Sequence, residues 1–188
     1  YVLGATPTLT AFITPRQVTI TAPVLAKTYD GTPNYSLSAA EIAALSAAEL
    51  SAGSLLAGDS ITAAAVRFVA KAVGTPTIEL TDVTIDDGNF GDNYDISFAT
   101  SSGTVSRLDY VTWVGGTSGD WFNPSNWRVG RQQSGLGSLG AVPDLANVRN
   151  VVVPVGVNIR FNDSAGGRSG NAEAGVVELE TIIFEGTD

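Results

Sequence analysis

The groups in this chain best suited to chemistry are oxygen donors and indoles. The stretch "DDGNFGDNYD" gathers Asp86, Asp87, Asn89, Asp92, Asn93 and Asp95. Oxygen ligands at that density could hold calcium, which takes about six to eight of them at flexible distances. Asp86, Asp87, Asn89 and Asp92 are the candidate ligands, and calcium is the only cofactor the chain suggests. Their spacing differs from the D-x-[DN]-x-[DN]-G loop and from Gly-Asp nonapeptide repeats. Asx residues also build tight turns by bonding nearby backbone amides. A second candidate is Tyr29-Asp30-Gly31 in "KTYDGTPNYSL". Asp30 could act as an acid or a ligand there. In the turn reading, Asp30 bonds nearby amides, Gly31 supplies a positive φ and Tyr29 anchors the turn in a core. No partner base or cofactor motif stands beside the tripeptide, so it reads as a structural turn. A third set is Trp113, Trp121 and Trp127, which could form a platform that stacks on a sugar ring. The same indoles could instead cap and seal an open β core, where each buried ring contributes about 2–3 kcal/mol.

Composition narrows the chemistry further. Cys, His and Met are absent. Without Cys there is no disulfide frame and no thiolate nucleophile; without His there is no Ser-His-Asp relay and no ordinary transition-metal site. A glycosidase-type pair needs two carboxylates about 5–10 Å apart across a cleft. The acids here fall in turns or at outward strand positions, so the chain reads as a non-enzyme. The formal charge is −9, with −5 in residues 1–107 and −4 in residues 108–188. Such a balance argues against nucleic acid and anionic membrane surfaces as partners. With no initiator Met, no leader and no apolar span long enough for a bilayer, the chain reads as a mature or excised soluble piece.

The elements that must position these groups are mostly strands. In "RQVTITA", Val18 and Ile20 alternate with polar residues, and "TPTIEL" repeats the pattern with Ile78 and Leu80. "VPVGVNIRF" places Val155, Val157, Ile159 and Phe161 on one side. "VVELETIIF" does so with Val177, Leu179, Thr181 and Ile183. Gly, Asn, Asp and Pro clusters, including "NDSAGG", separate the runs as turns. One helix interrupts them. In "SLSAAEIAALSAAELSAG", Ser38 and Glu41 have the form of a capping box, as do Ser46 and Glu49. A helix of two or three turns is expected, broken near Ser46, with Ile42, Leu45 and Leu50 as its apolar stripe. The Gly-rich "GRQQSGLGSLG" lacks periodicity and is the expected mobile loop. Two glycosylation sequons occur, at Asn34 and Asn162.

From Arg16 to Ser106 the order of features resembles the YDG repeat of large secreted bacterial adhesins of the filamentous-haemagglutinin, two-partner-secretion type. "ITPRQVTIT" matches the opening strand, "KTYDGT" the turn, "AGDSI" the approach to the central strand, and "KAVGT" and "GDNYDISF" the close. The segment "TWVGGTSGDWFNPSNWRVG", followed by "VPDLANVRNVVVPVGVNIRF", resembles the Trp-rich element of autotransporter passengers, which leads into a β-solenoid. These resemblances imply an all-β chain. Residues 1–15 would be the closing strand of a preceding repeat. Residues 16–107 would be a β-sandwich-like or β-grasp-like YDG module with a short helical insert. Residues 108–188 would be a Trp-capped β-solenoid-like or small β-sandwich element. They imply a structural and adhesive segment of a secreted, cell-surface exoprotein, with neighbouring modules of the same chain as partners and extracellular polysaccharide or host glycans as contacts. The alternative is a carbohydrate-binding module using the three tryptophans.

Overall fold

The computed structural model describes residues 14–132, 137–139, 141–161, 177 and 179–186. The expected closing strand over residues 1–15 falls outside these except for Thr14 and Pro15. The "NDSAGG" turn, the Asn162 sequon and part of the Gly-rich loop also lie outside the described residues. The fold is all-β, with a single α-helix among the described residues, and it forms two compact units. The first unit is drawn from the chain up to Ala22, from Ser36–Val66 and from Leu80–Ala99. The second takes Pro23–Tyr35, Arg67–Glu79 and the chain from Thr100 onward. Neither is one continuous segment.

In the first unit, β1 (Arg16–Thr21) lies parallel to a strand 78 residues later, Tyr94–Ala99. Val18 and Ile20 face inward, as their alternation predicts, while Gln17 and Thr19 bond Asp95 and Ser97 across the outer face. Helix α1 (Ala39–Ala52) starts with the anticipated capping box. The Ser38 hydroxyl accepts from the Glu41 amide, and the Glu41 carboxylate accepts from the Ser38 amide at 2.8 Å. Gly53, at φ 77°, closes the helix in the left-handed region. The Arg16 guanidinium donates to the Gly53 carbonyl at 2.6 Å, a favourable cation at a helix C-terminus.

The helix is unbroken at Ser46, contrary to the sequence expectation. The second serine–glutamate pair serves tertiary contacts instead: the Ser46 hydroxyl accepts from the Ile61 amide at 2.9 Å. The Glu49 carboxylate accepts from the Thr21 amide at 3.0 Å, which ties the helix to β1. The stripe also differs. Leu45 and Glu49 are buried, whereas Ile42 is half-buried and Leu50 is exposed. A polar residue takes a core position because its carboxylate satisfies a strand edge amide.

Taking the elements in chain order, β2 spans Ala26–Thr28, β3 Asn34–Tyr35, β4 Ser60–Phe68, β5 Thr77–Asp86, β6 Tyr94–Ala99, β7 Ser101–Ser102 and β8 Thr104–Ser106. A sheet runs in the order β3-β4-β5-β7. Inward parity changes along β4, from Ile61 to Val66 and Phe68, and along β5, from Ile78 and Leu80 to Ile85. In the first unit, Tyr94 donates its hydroxyl to Asp59 and accepts from the Leu56 amide.

In the second unit, β2 lies parallel to β8 with the same 78-residue offset, Ala26 beside Thr104. Then follow β9 (Leu108–Trp113), β10 (Ser118–Asp120), a 3-10 turn (Pro124–Asn126), β11 (Trp127–Val129), β12 (Val148–Pro154), β13 (Asn158–Arg160) and β14 (Thr181–Glu185). One sheet has the order β11-β9-β12-β14, in which β9, β12 and β14 are parallel. A second joins β10 and β13, also parallel. Leu108 pairs with Val148, Val111 with Val151 and Ser118 with Asn158, so both ladders share an offset of 40 residues. The connecting turns match as well: Gly116 and Gly156, 40 apart, both have positive φ. "VPVGVNIRF" is accordingly two strands rather than one. The turn at Gly156 leaves Val155 and Phe161 exposed where unbroken alternation would place them inside.

Candidate functional site

The Tyr-Asp-Gly turn is built around Lys27, a residue whose part the sequence reading missed. Strand β2 places its side chain inward, where it is 8 % exposed. The ammonium donates to both Asp30 oxygens, at 2.8 and 3.0 Å, to the Thr32 carbonyl at 2.6 Å and to the Asn34 carbonyl at 3.0 Å. It also lies 5.3 Å from the centre of the Phe68 ring. Three ammonium hydrogens are thus shared among four oxygens, so the charge is fully solvated by protein. Asp30 accepts in addition from the Thr32 amide and hydroxyl, and Gly31 holds φ 77°. Tyr29 is buried and its amide donates to the Ser106 carbonyl at 2.8 Å. Burial pulls the Asp30 carboxyl upward, but the bonds from Lys27 and Thr32 outweigh it and hold the group below its ordinary value. Chemically, this is an ionised strut that closes a loop onto a strand. The signal in the sequence was the Lys three residues before the Asp.

The acidic stretch forms a different kind of turn. The Asp87 carboxylate accepts from the amides of Asn89, Gly91 and Asn93 at 2.8–3.1 Å. Desolvation raises this carboxyl, yet the three amides prevail and its proton affinity falls. Asn89 donates to the Asn93 side chain at 3.0 Å. Asp86, Asn89 and Asp92 are exposed around it, and among the described residues no three acidic groups converge there. The turn also lifts Phe90 fully into solvent at φ 59°, the one described residue other than glycine with positive φ.

Trp113, Trp121 and Trp127 are 0–1 % exposed and form the centre of the second unit. Trp127 meets Trp113 at 5.1 Å and Trp121 at 4.6 Å between ring centres, both tilted edge to face. Phe161, 40 residues beyond Trp121, stacks on it at 5.0 Å and 19°. Each indole N–H is used: Trp113 donates to Gly116, Trp121 to Pro143 and Trp127 to Trp121. A Cβ on Gly115 would come within 2.5 Å of the Trp113 ring, and one on Gly119 within 2.9 Å. Gly115 and Gly119 of "WVGGTSGDW" therefore let backbone lie against an indole, while Gly116 supplies a positive φ. A sugar platform needs an open ring face, and these three rings are buried against one another, Phe161 and the Gly115 and Gly119 backbone. Nearby, Asp144 is buried; desolvation raises its carboxyl despite bonds from the Ala146 and Asn147 amides.

Residues 14–103 match the YDG domain. No curated protein and no solved structure matches the chain. The YDG domain thus holds the Tyr29-Asp30-Gly31 turn, the helix and the Asp87 turn, while the three tryptophans lie beyond it.

Proposed function

We propose that this chain is a structural and adhesive segment of a large secreted bacterial surface protein, of the two-partner-secretion adhesin kind, that extends a stalk and presents surface for cell, matrix or host-glycan contact. Parallel in-register stacking carries the reading. The offset of 78 recurs in two separate pairings, and the offset of 40 in two others. Parallel stacking adds each new strand onto the outer edge of the last, so it extends in one direction without closing. Among the described residues β14 is the outermost strand of its sheet, and Ile182 and Phe184 on it are exposed. Such an edge is a template for a further strand, here supplied by a neighbouring module of the same chain.

The test uses the secreted parent protein with and without this segment. Its maximum dimension is read by small-angle scattering, and the attachment of cells that carry it is read beside that. A shortened protein that still attaches supports a spacer, and lost attachment at normal secretion assigns contact to this segment. Unchanged length together with unchanged attachment overturns the proposal.

A further inference from the structure

We infer that the Phe90 turn and the groove beside it bind an arginine-bearing segment of another protein. The groove, about 420 Å³, is bordered by Thr62, Thr84, Ile85, Asp86, Gly88 and Phe90. Its wall is an aromatic ring wholly exposed to water and held at a positive φ that bulky side chains avoid. The φ opposes folding, the exposed ring contributes nothing to it, and nothing among the described residues covers the ring. Asp87 fixes the turn with three amide bonds, so the ring is presented on a rigid support.

The chemistry that suits this groove can be read from two places where the chain fills the same arrangement itself. Lys27 sits between the Phe68 ring and the Asp30 carboxylate, 5.3 Å from the ring centre and 2.8 Å from an oxygen. Arg131 sits between the Tyr110 ring and the Glu185 carboxylate, at 5.5 Å and 2.8 Å. At the Phe90 groove the ring and a carboxylate, Asp86, are both present and exposed, and no described cation joins them. Arginine fits best, since its planar guanidinium stacks on a ring face while its edge bonds a carboxylate. Charge complementarity favours the same occupant. The first unit contains eight carboxylates and one cation, Arg16. This site does not depend on the stalk reading and would stand if that reading failed.

The experiment titrates the full chain with the peptide acetyl-Leu-Arg-Leu-Arg-amide, following amide and aromatic signals by NMR. The comparison peptide carries citrulline, neutral and of the same shape, in place of each arginine. Saturable shifts confined to Asp86, Gly88, Phe90 and Thr62 are expected with arginine and not with citrulline. Phe90→Gly keeps the positive φ and removes the ring; Asp86→Asn keeps the shape and removes the charge. Each should weaken binding by about threefold to fivefold. Shifts spread evenly over all the acids, equal response to citrulline, or affinity unchanged in F90G would each overturn the inference.

Discussion

Replacing Lys27 by methionine tests whether the buried ammonium, rather than the Asp30 charge, holds the Tyr-Asp-Gly turn. Methionine preserves the unbranched stem packed on Phe68 and removes all three donors. The Thr32 and Asn34 carbonyls then lose their Lys27 bonds in a site where the lysine was 8 % exposed. Each lost bond costs about 1–1.5 kcal/mol net, because the carbonyls of exposed Thr32 and Asn34, like half-exposed Asp30, regain part of it from water. The expected loss is about 2–3 kcal/mol, or a fall in Tm of roughly 5–10 °C for a chain of this size. Asp30→Asn removes the charge from the exposed side and should cost at most about 1 kcal/mol. Urea unfolding followed by circular dichroism measures both. A loss in K27M no greater than in D30N would refute the reasoning, because it would place the stabilisation in the surface ion pair. The pH dependence adds a sign. Asp30 has a depressed carboxyl pKa in the folded chain, so its contribution is present above the unfolded value near pH 4. It is lost as pH falls through the folded value, where the unfolded state binds more protons. K27M should show a shallower acid limb than the wild type.

Three further outcomes follow from close approaches and caps. Gly115→Ala and Gly119→Ala should each destabilise by about 1–3 kcal/mol and alter near-ultraviolet circular dichroism, because each new methyl meets the Trp113 ring; Gly137→Ala, with open space around it, should be silent in that spectrum. Trp121→Ala should cost about 3–5 kcal/mol in thermal or urea unfolding, as loss of a buried ring does. Ser46→Ala should cost about 1–2 kcal/mol by leaving the Ile61 amide without its partner, more than the exposed Ser38→Ala cap at about 1 kcal/mol.

Local chemistry was legible in the sequence, and long-range pairing was not. Alternation correctly assigned Val18, Ile20, Ile78 and Leu80 to the interior, since one face of a strand must be buried. The Ser38-Glu41 box was readable because it involves neighbours alone. Ser46-Glu49 has the same spelling, but both side chains bond strand amides far along the chain, and tertiary demand overrides the local pattern. Lys27 was hidden for a related reason. Three of its partners lie within seven residues, but its burial depends on Phe68, 41 positions on. The 40-residue register left few traces in residue type, with Leu108/Val148, Val111/Val151, Gly116/Gly156 and Trp121/Phe161 the pairs that match in kind.

Charge shows how folding reorders what a linear reading averages. Cut at residue 107, the chain divides its charge almost evenly, −5 against −4. The units are not cut there, because Pro23–Tyr35 and Arg67–Glu79 leave the first unit and take Lys27, Arg67 and Lys71 with them. Eight acids and one base remain, a net of −7, against −2 in the second unit. An exposed ring set in such a field attracts cations at a distance and holds them at contact, and the two steps respond differently to salt. Attraction is screened over about 10 Å at 0.1 M, whereas the ring contact is short-ranged. Raising salt from about 0.02 to 0.5 M should therefore slow association of the arginine peptide while leaving its preference over the citrulline form in place. Stopped-flow kinetics separates the two. If salt abolished that preference together with the rate, the field alone would account for binding and the Phe90 ring would have no part in it.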